Sequence, residues 1–183
     1  MGVWGFNPDY LTGIYLLNQP LEEVLFFICI PYACLFTYFV YKKYVSPESI
    51  AFLKQYPLFF LMLLSLVGVI FFHNKLYTFY TALFLLISLV GVWRMGYNLH
   101  FTLITYITIL PFFYTSNGLL TGSFLDAPIV WYDNNENLGL RMFTIPLEDL
   151  FYGFLLFMLN VLLYEGIKAR ARPDKGKNRN ILV

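Results

Sequence analysis

The sequence predicts an all-α protein that crosses a membrane several times. Of its 183 residues, 59% are hydrophobic and 13% charged, against about 45–50% apolar and about 25% charged in soluble domains. Mean hydropathy is +0.64. The apolar residues are also gathered into runs, and a helix needs roughly 17–25 such residues to cross ~30 Å of hydrocarbon. Inside lipid the backbone must satisfy its own hydrogen bonds, so these runs are expected to be helices. The alternating segments of a membrane β-barrel do not occur. Disorder, collagen-like repeats and a disulfide-stapled module are excluded by composition. A net charge of +1 lacks the basic face that nucleic acid requires.

Five spans are expected. The first, Leu21 to Tyr41, is uncharged after Glu23. Pro20 precedes it, and acidic residues in its first turn suit the helix dipole. The second, Pro57 to Phe72, is short. The third is Leu76 to Trp93. The fourth lies in Met95 to Leu125, which holds no Asp, Glu, Lys or Arg, with its core at Leu99 to Thr115. The fifth, Leu147 to Tyr164, is uncharged after Asp149. Cys29 and Cys34, five apart within the first span, have neither metal nor disulfide spacing and read as packing residues.

Basic residues set the expected orientation. With five spans, Lys42, Lys43, Lys54, Arg94, Lys168, Arg170, Arg172, Lys175, Lys177 and Arg179 fall on one side, leaving Lys75 and Arg141 on the other. The positive-inside rule then puts the N-terminus outside and the C-terminus in the cytoplasm. No signal-peptide pattern opens the chain. The expected location is the cytoplasmic membrane, crossed several times.

The chain also repeats itself. Trp4, Gly13, Pro20, Leu21, Glu22 and Glu23 match Trp131, Gly139, Pro146, Leu147, Glu148 and Asp149. The Gly-to-Pro spacing is the same, and the Trp-to-Gly spacing differs by one residue. Each stretch is a polar loop running into a span, so P-x-E-[ED] starts the first and fifth helices. The two helices run the same way, which puts both acidic pairs in one layer of the membrane. The expected organisation is a membrane domain over 1–164, made of a partial first repeat (1–41), a linking helix (57–72) and a second repeat (76–164), followed by a basic cytoplasmic tail (165–183).

One acidic pair at a helix start reads as ordinary capping. Two pairs at matching depth, each ahead of an uncharged span, read as chemistry, because interfacial and intramembrane carboxylates are costly. Neighbouring carboxylates also repel, so one tends to keep its proton, which sets an acid beside a base. Glu22, Glu23, Glu148 and Asp149 are the candidate catalytic residues. Phe26, Phe27, Phe151 and Tyr152 follow the acids closely, and aromatic faces there can stabilise a cation. His73 reads as a loop residue and His100 as an interfacial anchor. No metal-ligand spacing, dinucleotide fingerprint, P-loop or nucleophile elbow is present, so no metal and no cofactor are expected.

The stretch from Gly2-Val-Trp-Gly-Phe-Asn-Pro-Asp through Leu-Thr-Gly-Ile to Pro20-Leu-Glu-Glu-Val-Leu-Phe-Phe resembles the membrane-integral lycopene cyclase domain family. That family comprises the paired bacterial subunits, their single-chain fusions and part of the fungal fusion enzymes. Pro146-Leu-Glu-Asp-Leu-Phe-Tyr resembles its other half, and the likeness extends to about Tyr164. The resemblance implies a lycopene β-cyclase of carotenoid biosynthesis, an isomerase closing the acyclic ends of lycopene into β-ionone rings (γ-carotene, β-carotene). It implies acid–base roles for the four carboxylates, and Trp4, Phe26, Phe27, Trp131, Phe151 and Tyr152 are the candidate substrate contacts. The reaction is redox-neutral and needs no cofactor, and the carotenoid substrate dissolves in the bilayer. Fused members carry two further helices ahead of the Gly-Val-Trp stretch. A longer chain, a partner subunit or a homo-oligomer is therefore expected to supply them. The rival readings are a non-enzymatic carotenoid- or lipid-binding protein and a proton-coupled transporter.

Overall fold

Five helices carry the structure, a computed structural model that describes residues 2–46 and 56–171. They are α1 (Leu21–Tyr44), α2 (Tyr56–Phe71), α3 (Leu76–Arg94), α4 (His100–Leu120) and α5 (Leu147–Ala171). Four of them, α1, α3, α4 and α5, are long and apolar enough to span a membrane. The apolar α2 has 16 residues, about 24 Å at the rise of an α-helix, and falls short of the full hydrocarbon thickness. The chain is thus a multi-pass helical membrane protein. Helix α5 runs on to Ala171, so 165–171, expected as the start of the tail, is helical. Lys54 and the rest of the tail, 172–183, lie outside the described residues.

Helices α2 and α3 form a hairpin, α5 packs on α3, α1 and α4, and α1 packs on α4. The core gathers Tyr38, Leu58, Leu85, Leu89, Val92, Tyr106, Phe154, Phe157, Met158 and Val161. Elsewhere the helices turn apolar side chains outward, as at Ile28, Tyr32 and Phe36 along α1. Such a stripe at helical spacing faces lipid as readily as a protein core. Prolines sit inside α1 (Pro31) and α4 (Pro111) without ending either helix.

Helices α1 and α5 run parallel. Their C-terminal halves touch where Phe39 stacks edge-on against Tyr164, with ring centres 4.5 Å apart, and Lys42 pairs with Glu165 at 2.5 Å. Lys42, Lys43, Arg94, Lys168 and Arg170 lie in the last turns of α1, α3 and α5. Lys75 and Arg141 belong to the opposite end, which also holds both acidic pairs.

Short strands, which the sequence reading did not anticipate, build that end. β1 (Trp4–Phe6) pairs antiparallel with β4 (Val130–Tyr132), setting Gly5 opposite Trp131. Two hairpins lead into the helices: β2 (Tyr15–Leu16) with β3 (Gln19–Pro20), and β5 (Arg141–Met142) with β6 (Ile145–Pro146). The hydrogen bonds recur at one fixed sequence step, the step from Glu22 to Glu148. Asn7 N donates to Ile129 O at 2.8 Å, and Asp133 N to Val3 O at 2.9 Å. Leu21 N donates to Ile14 O at 2.9 Å, and Leu147 N to Leu140 O at 3.0 Å. The Asn7 side chain accepts from Asp9 N, and that of Asp133 from Asn135 N. Gly13 and Gly139 share a positive φ, 80° and 72°, a conformation that glycine adopts without steric cost. Gly5 and Trp131, which face each other across the ribbon, are separated by this same step. The expected match of Trp4 with Trp131 differs from it by one residue.

Candidate active site

Each acidic pair lies in the first turn of its helix, delivered there by its hairpin. In the second pair, Glu148 and Asp149 are buried at 3% and 4% exposure. Glu148 Oε1 accepts from Leu138 N at 2.7 Å and from the Thr78 hydroxyl at 2.6 Å. Its Oε2 is buried and has no hydrogen-bond partner among the described residues. Asp149 takes three donors from three elements. The Tyr77 hydroxyl (α3) donates to Oδ1, and Asn117 Nδ2 (α4) to Oδ2 at 2.9 Å. The Tyr132 hydroxyl (β4) also donates to Oδ2, at 2.8 Å. A carboxylate can accept all three bonds, whereas the acid form must use one oxygen as a donor. The three donors hold both Asp149 oxygens in place.

Tyr132 lies outside the helices. Burial above all, then the Asp149 charge beside it, pushes its phenol far above the ordinary tyrosine value, and Glu23 pushes the same way. Tyr132 thus keeps its proton for the bond to Asp149. Its ring stacks on Tyr77, with centres 5.8 Å apart, and the Arg141 guanidinium lies 5.9 Å from its ring centre.

The first pair repeats part of this design. Glu22 Oε1 accepts from Thr12 N at 2.8 Å, the counterpart of the Leu138 bond. Glu22 Oε2, like Glu148 Oε2, is buried without a partner among the described residues. Among the described residues α1 packs on α4 and α5, and none of them gives Glu22 a bond like that from Thr78 to Glu148. Glu23 is half-buried and acts electrostatically on both Tyr132 and Tyr152, as does Asp149. Both pairs lie in the first turns of their helices, at one end of the bundle.

The expected aromatic residues divide. Tyr152, in the first turns of α5, has its ring centre 6.4 Å from that of Tyr77. Phe151 lines an apolar chamber together with Glu148. Trp4 stands edge-on to Phe6 at 5.3 Å, and the Trp131 indole lies against Gly5, so both hold the β1–β4 ribbon together. Phe26 and Phe27 stand edge-on to each other on α1, and Phe27 is exposed. Tyr77, Thr78, Asn117 and Tyr132 were not singled out from sequence. Among the described residues no group of His, Cys, Asp and Glu could hold a metal ion. Cys29 and Cys34 are free thiols.

A bundle of apolar helices with carboxylates gathered at one end defines a helical membrane protein. The chain belongs to the lycopene cyclase family, whose sequence profile matches residues 1–41 and 74–167. The two matched segments carry one acidic pair each and leave α2 between them. No curated protein and no solved structure matches the chain.

Proposed function

We propose that the chain acts as a lycopene β-cyclase, closing acyclic ends of lycopene into β-ionone rings by proton-initiated isomerisation. The observation that carries this reading is the second acidic pair. Glu148 keeps one buried oxygen free of partners, while Asp149 beside it is held by three donors. General acid–base chemistry needs a firmly positioned carboxyl that can give up and take back a proton, in a dry site. One carboxyl protonates a terminal alkene, the resulting cation is captured by an internal double bond, and a carboxylate removes a neighbouring proton. Atoms and electrons balance without a redox partner, so neither flavin nor nicotinamide is required.

The repeated hydrogen bonds support a duplicated unit with a twofold axis passing between Gly5 and Trp131. Under that symmetry α1 takes two further helices, the equivalents of α3 and α4, from a longer chain or a partner subunit. The segregation of basic side chains supports placing the acidic end outside and the C-terminus in the cytoplasm. Expression in a lycopene-accumulating host, with and without candidate partner subunits, tests the reading. Cyclic carotenoid is expected in whichever assembly completes the first repeat. Lycopene left unchanged by every assembly, with the chain inserted, would reject it.

A further inference from the structure

Between α2, α3 and α5 lies a chamber of about 190 Å³. Its walls are apolar, with Leu64, Val67, Leu85 and Phe151 among them, and among the described residues Glu148 is the one ionisable side chain that lines it. We propose that this chamber receives one acyclic end of the hydrocarbon substrate and that Glu148 Oε2 is the proton donor to its terminal double bond. The proposal rests on the cyclase reading and deepens it.

Size, polarity and access support the assignment. Apolar cavities of about 150 Å³ stay dry and hold a molecule such as benzene, so this chamber has room for a forming six-membered ring. Leu64 and Val67 are 40% and 37% exposed, so one side of the chamber opens toward the surrounding hydrocarbon. A lipid-dissolved chain can slide in sideways, leaving its remainder in the bilayer. Glu148 is fixed through Oε1 by Leu138 N and Thr78, which leaves Oε2 as its reactive atom. A buried oxygen without a partner is costly, and a proton transferred to substrate gives it a use. The face of Phe151 can attract positive charge. One wall comes from α2, outside the segments that match the family.

The step balances. The Oε2–H proton passes to the terminal alkene carbon, and the alkene electron pair forms the new C–H bond, leaving a tertiary cation. The pair of an internal double bond then forms the ring C–C bond and moves the positive charge onto the ring. The Glu148 carboxylate takes a proton from the adjacent carbon, which restores a double bond and the acid. Nothing is oxidised or reduced.

The test uses the chain in its active assembly, purified from a lycopene-accumulating host. Bound carotenoid per protein is read by absorbance and ring formation by chromatography. Val67→Trp and Leu64→Trp fill the chamber from its lipid side, where added bulk is accommodated; Val67→Phe serves if a tryptophan variant does not accumulate. Leu63→Trp, on exposed α2 surface away from the chamber, is the control. The fillers are expected to lower bound carotenoid and ring formation about tenfold or more, and the control to leave both unchanged. Glu148→Gln should retain the carotenoid yet lose ring formation by about a hundredfold. Fillers that match the parent in both readouts would overturn the chamber while leaving the cyclase reading intact. A parent that binds carotenoid, loses it on filling, and makes no cyclic product in any assembly would overturn the cyclase reading and leave the chamber standing as a binding site.

Discussion

Asp149 shows how much one residue can owe to distant parts of the chain. Its three donors, Tyr77, Asn117 and Tyr132, lie 72, 32 and 17 positions away. The acid itself was legible, because a carboxylate beside another at the head of an uncharged span is unusual. Its donors were not, since tyrosine and asparagine are common at membrane interfaces and only the packing of α3, α4 and β4 around α5 selects these three. A hydrogen bond to a charged group is worth about 1.5–3 kcal/mol. Tyr132→Phe removes one such bond and little volume. It is expected to lower ring formation by about tenfold to a hundredfold, with the amount of inserted protein unchanged. Activity equal to the parent would show that the Asp149 network is not used in the reaction. A second residue-scale lesson is Trp131. The expected match to Trp4 followed side-chain identity, whereas the hydrogen bonds follow a constant step that pairs Trp131 with Gly5.

The hairpins and the β1–β4 ribbon were the elements least visible in the sequence. Strands of two or three residues leave almost no periodicity. Nor do their turns announce themselves with Asn-Gly or Gly-Gly, since Leu17, Asn18 and Phe143 take positive φ values of 49°, 67° and 58°. The helices, by contrast, were legible from hydropathy, and their starts at Leu21, Leu76 and Leu147 agree with the spans expected. The ribbon rests on Gly5, where a Cβ would lie 2.5 Å from Trp131 Cζ2. Gly5→Val therefore forces the two loops apart. Overpacking of this kind costs about 1–3 kcal/mol, and at about 2–4 °C per kcal/mol for a chain of this size the melting temperature in detergent should fall by several degrees. No fall would mean that the ribbon does not hold the two loops together.

At the scale of the molecule, charge is segregated between the two ends of the helix bundle. Basic side chains end α1, α3 and α5, while carboxylates begin α1 and α5. A reporter inserted at Phe124, 91% exposed in the connection after α4, is expected outside the cell, and one fused after Val183 in the cytoplasm. The reverse pattern would invert the orientation. Because the reaction is redox-neutral, membranes stripped of flavin and nicotinamide should retain full activity, and a strict need for reduced flavin would contradict the mechanism.

The central claim is that the acidic pairs perform proton chemistry rather than cap helices. A capping acid contributes about 0.3–1 kcal/mol, and its amide replacement leaves a folded, active protein. Loss of general acid–base catalysis lowers a rate by about 10²- to 10⁴-fold. The most direct measurement is cyclic carotenoid formed per unit of inserted protein for Glu22→Gln, Glu23→Gln, Glu148→Gln and Asp149→Asn, each in the active assembly. At least one replacement in each pair is expected to lower product about a hundredfold or more, with insertion intact. If all four variants stay within a fewfold of the parent, the pairs are structural and the catalytic assignment is wrong.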